Sequence, residues 1–129
     1  MLRNFLFLGA MSAFFGVGLG AFGAHGLKTL LTPDMLAIYQ TGVQYHLWHA
    51  LGLIAIAVVR QQAPCSKLLA WSGGFMFAGI LIFSGSLYLL AVLNQRWLGM
   101  ITPIGGVCFL TAWLLLAIFA LKKPNSTSQ

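Results

Sequence analysis

Acidic residues are almost absent from this chain. Its 129 residues include a single carboxylate, Asp34, against seven lysines and arginines. Metal sites and catalytic dyads that need an acid, such as the HExxH zinc motif, therefore have nothing to draw on in the apolar stretches. Charge of either sign is scarce, at 6% of residues, where soluble domains carry roughly a quarter. The seven basic residues are scattered singly or in one pair. The net charge of +6 thus forms no basic stripe, and no nucleic-acid partner is expected. Cysteine is limited to Cys65 and Cys108. One is expected at a membrane surface and the other well inside a span, beyond the roughly 7 Å that a disulfide tolerates between Cα atoms.

What the chain has instead is apolar length. Hydrophobic residues make up 60% of it and the mean hydropathy is +0.92. A membrane span needs roughly 20 apolar residues at about 1.5 Å rise each. Four spans, at about 4–24, 39–60, 67–93 and 103–121, use up nearly the whole sequence. The expected fold is an all-α, integral membrane four-helix bundle with short connections. It forms one domain over 1–123, followed by a polar tail at 124–129 expected to be disordered. The bilayer is its expected partner, and no soluble catalytic domain fits.

The first run is longer than the roughly 7–15 residues of a signal-peptide core, so a retained helix is expected despite small residues at Ala21 and Gly23. Within it Ser12, Gly16, Gly20 and Ala24 recur every fourth residue, a small-xxx-small ladder that predicts close packing against another helix. Thr32, Pro33 and Asp34 read as a helix start, with a capping hydroxyl, a proline at the first position and an acid at the positive end of the dipole. Thr102 and Pro103 read as a second such start. Arg3, Arg60, Lys67, Lys122 and Lys123 fall on one side of this topology and Lys28 and Arg96 on the other. The positive-inside bias then predicts both termini in the cytoplasm.

Ionisable groups in lipid are costly, which makes the histidines the first place to look for function. His46 and His49 are one turn apart and share a helix face with Tyr39 and Gly42, while Ser84 and Tyr88 share a face of the third span. Counting about 1.5 Å per residue from the inner boundary puts His46 roughly 21 Å and Ser84 roughly 25 Å above it. A polar pocket opening outward is the sharp expectation, lined by His25, Tyr39, His46, His49, Ser84, Ser86, Tyr88 and Thr102. Plain interhelical hydrogen bonding is the bland one. No cofactor is expected. His46 and His49 are the candidates for a metal or haem, since imidazole ligates both, but an HxxH pair without an acid is a weak signal. Ser84 or Ser86 with His46 is a conceivable dyad that lacks an orienting group.

Four segments carry a resemblance: Gly20-Ala-Phe-Gly-Ala-His-Gly-Leu27, Tyr45-His-Leu-Trp-His-Ala-Leu-Gly-Leu53, Phe83-Ser-Gly-Ser-Leu-Tyr-Leu-Leu90 and Ile101-Thr-Pro-Ile-Gly-Gly106. With them the chain resembles, over its full length, the bacterial YgdD-like family of small inner-membrane proteins. That family is known as domain of unknown function 423 and is similar to the eukaryotic small transmembrane protein 256. The resemblance implies a four-helix protein of the bacterial inner membrane and carries over no reaction, substrate or catalytic residue. The reading reached is a non-enzymatic structural, accessory or ligand-binding role. The alternative is a small-solute, ion or lipid transporter component, which four narrow spans would require to be a homo-oligomer.

Overall fold

The computed structural model describes residues 2–122, all in helices and short connections with no strand among them. The tail expected at 124–129, with Met1 and Lys123, lies outside the described residues. Helix α1 (Leu2–Phe22) ends in a π-helical turn, Gly23–Leu27, and α2 (Pro33–Arg60) is the longest element. The third crossing is composite: α3 (Lys67–Gly79), a π-helical turn (Ile80–Ser84) and α4 (Gly85–Leu93). A 3-10 turn (Arg96–Met100) leads into α5 (Thr102–Leu121). Four segments, Arg3–Leu27, Pro33–Arg60, Lys67–Leu93 and Arg96–Leu121, are long and apolar enough to cross a membrane. Helices suit that role because each backbone group finds its partner within its own segment.

The helix ends follow local chemistry. Thr32 has an extended backbone and its Oγ1 accepts from the Met35 N–H at 3.3 Å, with Pro33 in the first turn and Asp34 beside it. Ser66 caps α3 in the same way, accepting from Leu69 N–H at 3.3 Å. Asn94 closes α4 in the left-handed region at φ 54°, a conformation whose cost is lowest for glycine and asparagine. Thr102 departs from the expected start. The chain enters α5 directly from the 3-10 turn with Ile101 already helical, so no extended residue is present to cap, and the Thr102 hydroxyl turns to Ser86 and Leu98 instead.

The two middle crossings form the centre of the bundle and the outer two cover it. Among their most apolar windows, 44% and 39% of residues are buried in the second and third crossings, against 17% in each of the first and fourth. Leu53, Ile56, Met76, Ile80, Phe109 and Ala112 make the main core, where α2, the third crossing and α5 meet. Smaller clusters, Leu27 with Tyr39 and Ala91, and Met35 with Leu90 and Leu98, seal the end that carries the α1–α2 and α4–α5 connections. Large side chains such as Phe7, Phe14, Val17, Leu110 and Leu114 are exposed on α1 and α5, as a lipid-facing surface requires.

Close approach is set by glycines. A Cβ on Gly16 would come within 2.7 Å of Leu47 Cδ2, and one on Gly20 within 3.1 Å of Val43 Cγ1. Gly9 and Gly23 extend the same contact, against Ile54 and Tyr39, while Ala24 is exposed. Gly105 of α5 lies against the backbone of Phe83 inside the π-helical turn, where a Cβ would stand 2.7 Å from Phe83 Cα.

Candidate functional site

Apart from Ser72 and Arg60, the buried polar groups sort into three clusters. The first joins α1, α2 and the third crossing. Tyr39 Oη donates to the Leu19 carbonyl at 2.6 Å, and Ser84 Oγ donates to the Gly42 carbonyl at 2.8 Å. The Tyr88 ring packs beside Gly42, tilted against Tyr39 with centroids 5.1 Å apart, and its hydroxyl reaches His46 Nδ1 at 2.9 Å. The far edge of the His46 ring faces Gly16 and the Ser12 backbone on α1. If the His46 Nε2–H is turned to the Ser12 carbonyl, Nδ1 is the acceptor and Tyr88 Oη the donor. The Tyr39 and Ser84 protons are committed to carbonyls of neighbouring helices, so Ser84 serves a carbonyl rather than His46.

The second cluster is Ser86 with Thr102, whose hydroxyl oxygens are 2.6 Å apart. Ser86 also donates to the Phe83 carbonyl at 2.8 Å. Two hydroxyl protons face three contacts here: with Ser86 donating to Phe83, the Thr102 proton goes to Ser86 at 2.6 Å in preference to the Leu98 carbonyl at 3.5 Å. This pair ties the third crossing to α5.

The third centres on His49. Although only three residues from His46, and so about 60° around the helix, it faces a different neighbour. Its ring stacks on Phe109 of α5 with centroids 3.5 Å apart, and Trp113 stands edge-on at 5.8 Å. Nδ1 donates to the Tyr45 carbonyl one turn back at 2.6 Å. A carbonyl can only accept, so the proton sits on Nδ1, and in the neutral ring Nε2 is left as an acceptor. Nε2 has no partner among the described residues, yet it is not sealed off from the surface. A groove of about 470 Å³ opens beside it, lined by Tyr45, Phe83, Pro103, Gly106, Phe109 and Trp113 among others.

The residues read from the sequence as one pocket are therefore distributed. Tyr39, His46, Ser84 and Tyr88 are brought together, Ser86 and Thr102 pair elsewhere, and His49 lines the groove. His25 is exposed on the π-helical turn after α1. A separate groove of about 300 Å³ lies between α1 and α2 and is lined by Gly20, Ala24, Tyr39 and Gln44 among others. No group of three His, Cys, Asp or Glu side chains that could hold a metal ion occurs among the described residues.

Three contributors carried no sequence signal as site residues. Phe109 and Trp113 sit in a run that is apolar throughout. Ser72, buried and donating to the Ala112 carbonyl at 2.7 Å, stands alone between glycines and aromatics. Arg60, expected as a membrane-flanking anchor, is buried.

Comparison with known proteins agrees with this architecture. The UPF0382 membrane protein YwdK of Bacillus subtilis is 46% identical over 121 residues, covering 94% of this chain and 98% of that protein. A UPF0382 membrane protein of Staphylococcus epidermidis is 45% identical over 94% of this chain and 98% of its own length. The UPF0382 inner membrane protein YgdD of Escherichia coli K12 is 39% identical, covering 93% of this chain and 91% of its own. No solved structure matches. Residues 19–106, which hold the Tyr39–His46–Ser84–Tyr88 cluster and His49, match the family described as Protein of unknown function (DUF423), and the chain belongs to that family of multi-pass bacterial membrane proteins.

Proposed function

We propose that this protein is a non-enzymatic binding component of the bacterial inner membrane, with both termini in the cytoplasm, and that the His49 groove is its ligand site. The observation that carries the reading is the His49 ring itself. It is 5% exposed, held by the Phe109 stack and the Tyr45 carbonyl, and presents an acceptor nitrogen without a protein partner at the edge of a lipid-facing aromatic groove. A polar atom that opens on a lipid-facing groove without a partner is costly, and a ligand donor arriving from the bilayer removes that cost. The matching chemistry is a lipid-soluble ring compound carrying a hydroxyl or N–H. Its ring would lie among Phe83, Phe109 and Trp113 while its donor meets Nε2.

The Tyr39, Ser72, Ser84 and Ser86 hydroxyls support a non-catalytic role, since each donates to a carbonyl and no serine is poised as a nucleophile beside His46. The test is a titration of purified protein in dodecyl maltoside with a panel of substituted phenols and hydroquinones, read by Trp113 fluorescence against a Trp113→Phe blank. His49→Phe keeps the stacking shape and removes the acceptor. It is expected to weaken binding by about tenfold, the value of one buried hydrogen bond. A panel that binds His49→Phe as well as it binds the parent, or that does not bind the parent, ends this reading.

A further inference from the structure

Arg60 is the one buried charge to which the described part of the chain supplies no answer. It is the last residue of α2 and is 7% exposed. Its Nε is walled off from solvent and has no hydrogen-bond partner. One face of the guanidinium is covered by Phe5 of α1, whose ring centroid is 5.4 Å from Cζ, within cation–π range. The ring of Phe5 is in turn seated in the gap left by Gly73 of α3, so three helices fix the position of the group. The chain's one acid is at the opposite end of α2, 26 residues and about 39 Å away.

A buried guanidinium is retained where an anion completes it, and its planar fork of five donors matches the oxygens of a carboxylate or a phosphate two at a time. Arg60 ends a membrane-crossing helix, at the depth where apolar chain gives way to headgroups. The anion on offer at that depth is a lipid phosphate. A residue that merely anchored the helix in the interface would extend into water, as Arg3 and Lys67 do. Arg60 is instead drawn into the packing between α1, α2 and α3.

We propose that Arg60, backed by Phe5, is a phosphate-binding site that holds the headgroup of one anionic phospholipid at the membrane face carrying the α2–α3 connection. The site is separate from the His49 groove and does not depend on it. Tight binding of one lipid there is set by the fixed fork and by the Phe5 face, so charge alone does not reproduce it.

The experiment titrates short-chain phosphatidylglycerol into the full chain in dodecyl maltoside and counts retained lipid by native mass spectrometry, with inorganic phosphate as competitor. The parent is expected to hold one phosphatidylglycerol. Arg60→Gln should weaken retention by about a hundredfold and Arg60→Lys by about tenfold, since lysine keeps the charge and loses the fork. Lys28→Gln, exposed at the other end of the bundle, should match the parent. Displacement of the lipid by inorganic phosphate from the parent supports the phosphate as the recognised group. Binding of inorganic phosphate without any retained lipid assigns the site to the free ion and overturns the lipid. A parent that retains no lipid and no phosphate overturns the proposal without recourse to any variant. Equal retention by Arg60→Lys and the parent, both folded by thermal melt, overturns the role given to the fork.

Discussion

Gly105 and Gly106 are neighbours in α5, and the structure assigns their alanine variants opposite outcomes. A Cβ at Gly105 would stand 2.7 Å from Phe83 Cα and from Phe83 Cβ, and closer still to the Phe83 backbone nitrogen. These are mostly backbone atoms inside a helical turn, so no rotamer change relieves the overlap and α5 must move away from the third crossing. Overpacking of one methyl in a well-packed core costs about 1–3 kcal/mol, and a rigid backbone neighbour places Gly105→Ala at the top of that range. The shift would also loosen the Ser86–Thr102 pair and the Phe109 stack on His49. A Cβ at Gly106 meets only Phe83 ring atoms at 3.9 Å and beyond. Relief of the helix penalty of glycine, about 0.8–1 kcal/mol, should therefore make Gly106→Ala neutral or stabilising. Reversible unfolding in mixed detergent micelles, followed by helical circular dichroism, reads both. A gap of about 3 kcal/mol between the two variants is expected. Indistinguishable midpoints would mean that α5 does not lie against the π-helical turn and that the close approach is wrong.

The remaining expectations use the same logic at other contacts. Gly16→Leu should destabilise the bundle, because its side chain would enter the space of Leu47, whereas Gly18→Leu, with no atom within 4 Å of its Cβ position, should melt like the parent. Tyr88→Phe removes the hydrogen bond to His46 and keeps the ring on Gly42. A loss of about 0.6 kcal/mol, typical of interhelical bonds in membranes, is expected in the same unfolding assay, with ligand binding at His49 unchanged. Reporter fusions at the N-terminus and after Lys122 should both report the cytoplasm; opposite sides for the two ends would exclude four crossings.

The number of crossings was legible because composition decides it: apolar runs of span length, broken by proline, glutamine and lone charges, leave no other fold. Thr32 was legible because a cap is a local event. Rotational phase was not. In a soluble helix the polar face marks the outside, but here the lipid face and the core face are both apolar, so the periodicity of hydrophobic residues carries little information. Only small and polar residues report phase, which is why the Gly16 and Gly20 contact and the His46–Tyr88 and Ser84–Gly42 bonds could be anticipated as faces. The division between His46 and His49 could not, since about 60° of rotation decides whether a side chain meets α1 or α5. The π-helical turn at Ile80–Ser84 is silent for the same reason. Ile80–Phe83 are four apolar side chains in a row, so the extra residue leaves no mark before Ser84, and only the bare Gly105 opposite hints that a backbone approaches there.

Two buried groups keep open valence, and their separation bears on what each can bind. Arg60 Nε is the one side-chain polar atom among the described residues with neither a partner nor surface access, whereas His49 Nε2 lacks a partner but opens on the groove. His49 Nε2 presents a lone pair to an aromatic groove in the body of the bundle, and Arg60 presents donors at its end. They are 11 residues apart on α2, about 16 Å along the axis, and face different neighbours, Phe109 of α5 in one case and Phe5 of α1 in the other. The chemistry they demand is also opposite, since His49 asks for a donor and Arg60 for an acceptor. Eleven residues make close to three full turns, so both lie on nearly one side of α2, and it is the axial distance alone that keeps one small molecule from satisfying both. A lipid held at Arg60 by its phosphate therefore leaves the His49 groove open to a second occupant, and a substitution at either residue should leave binding at the other unchanged.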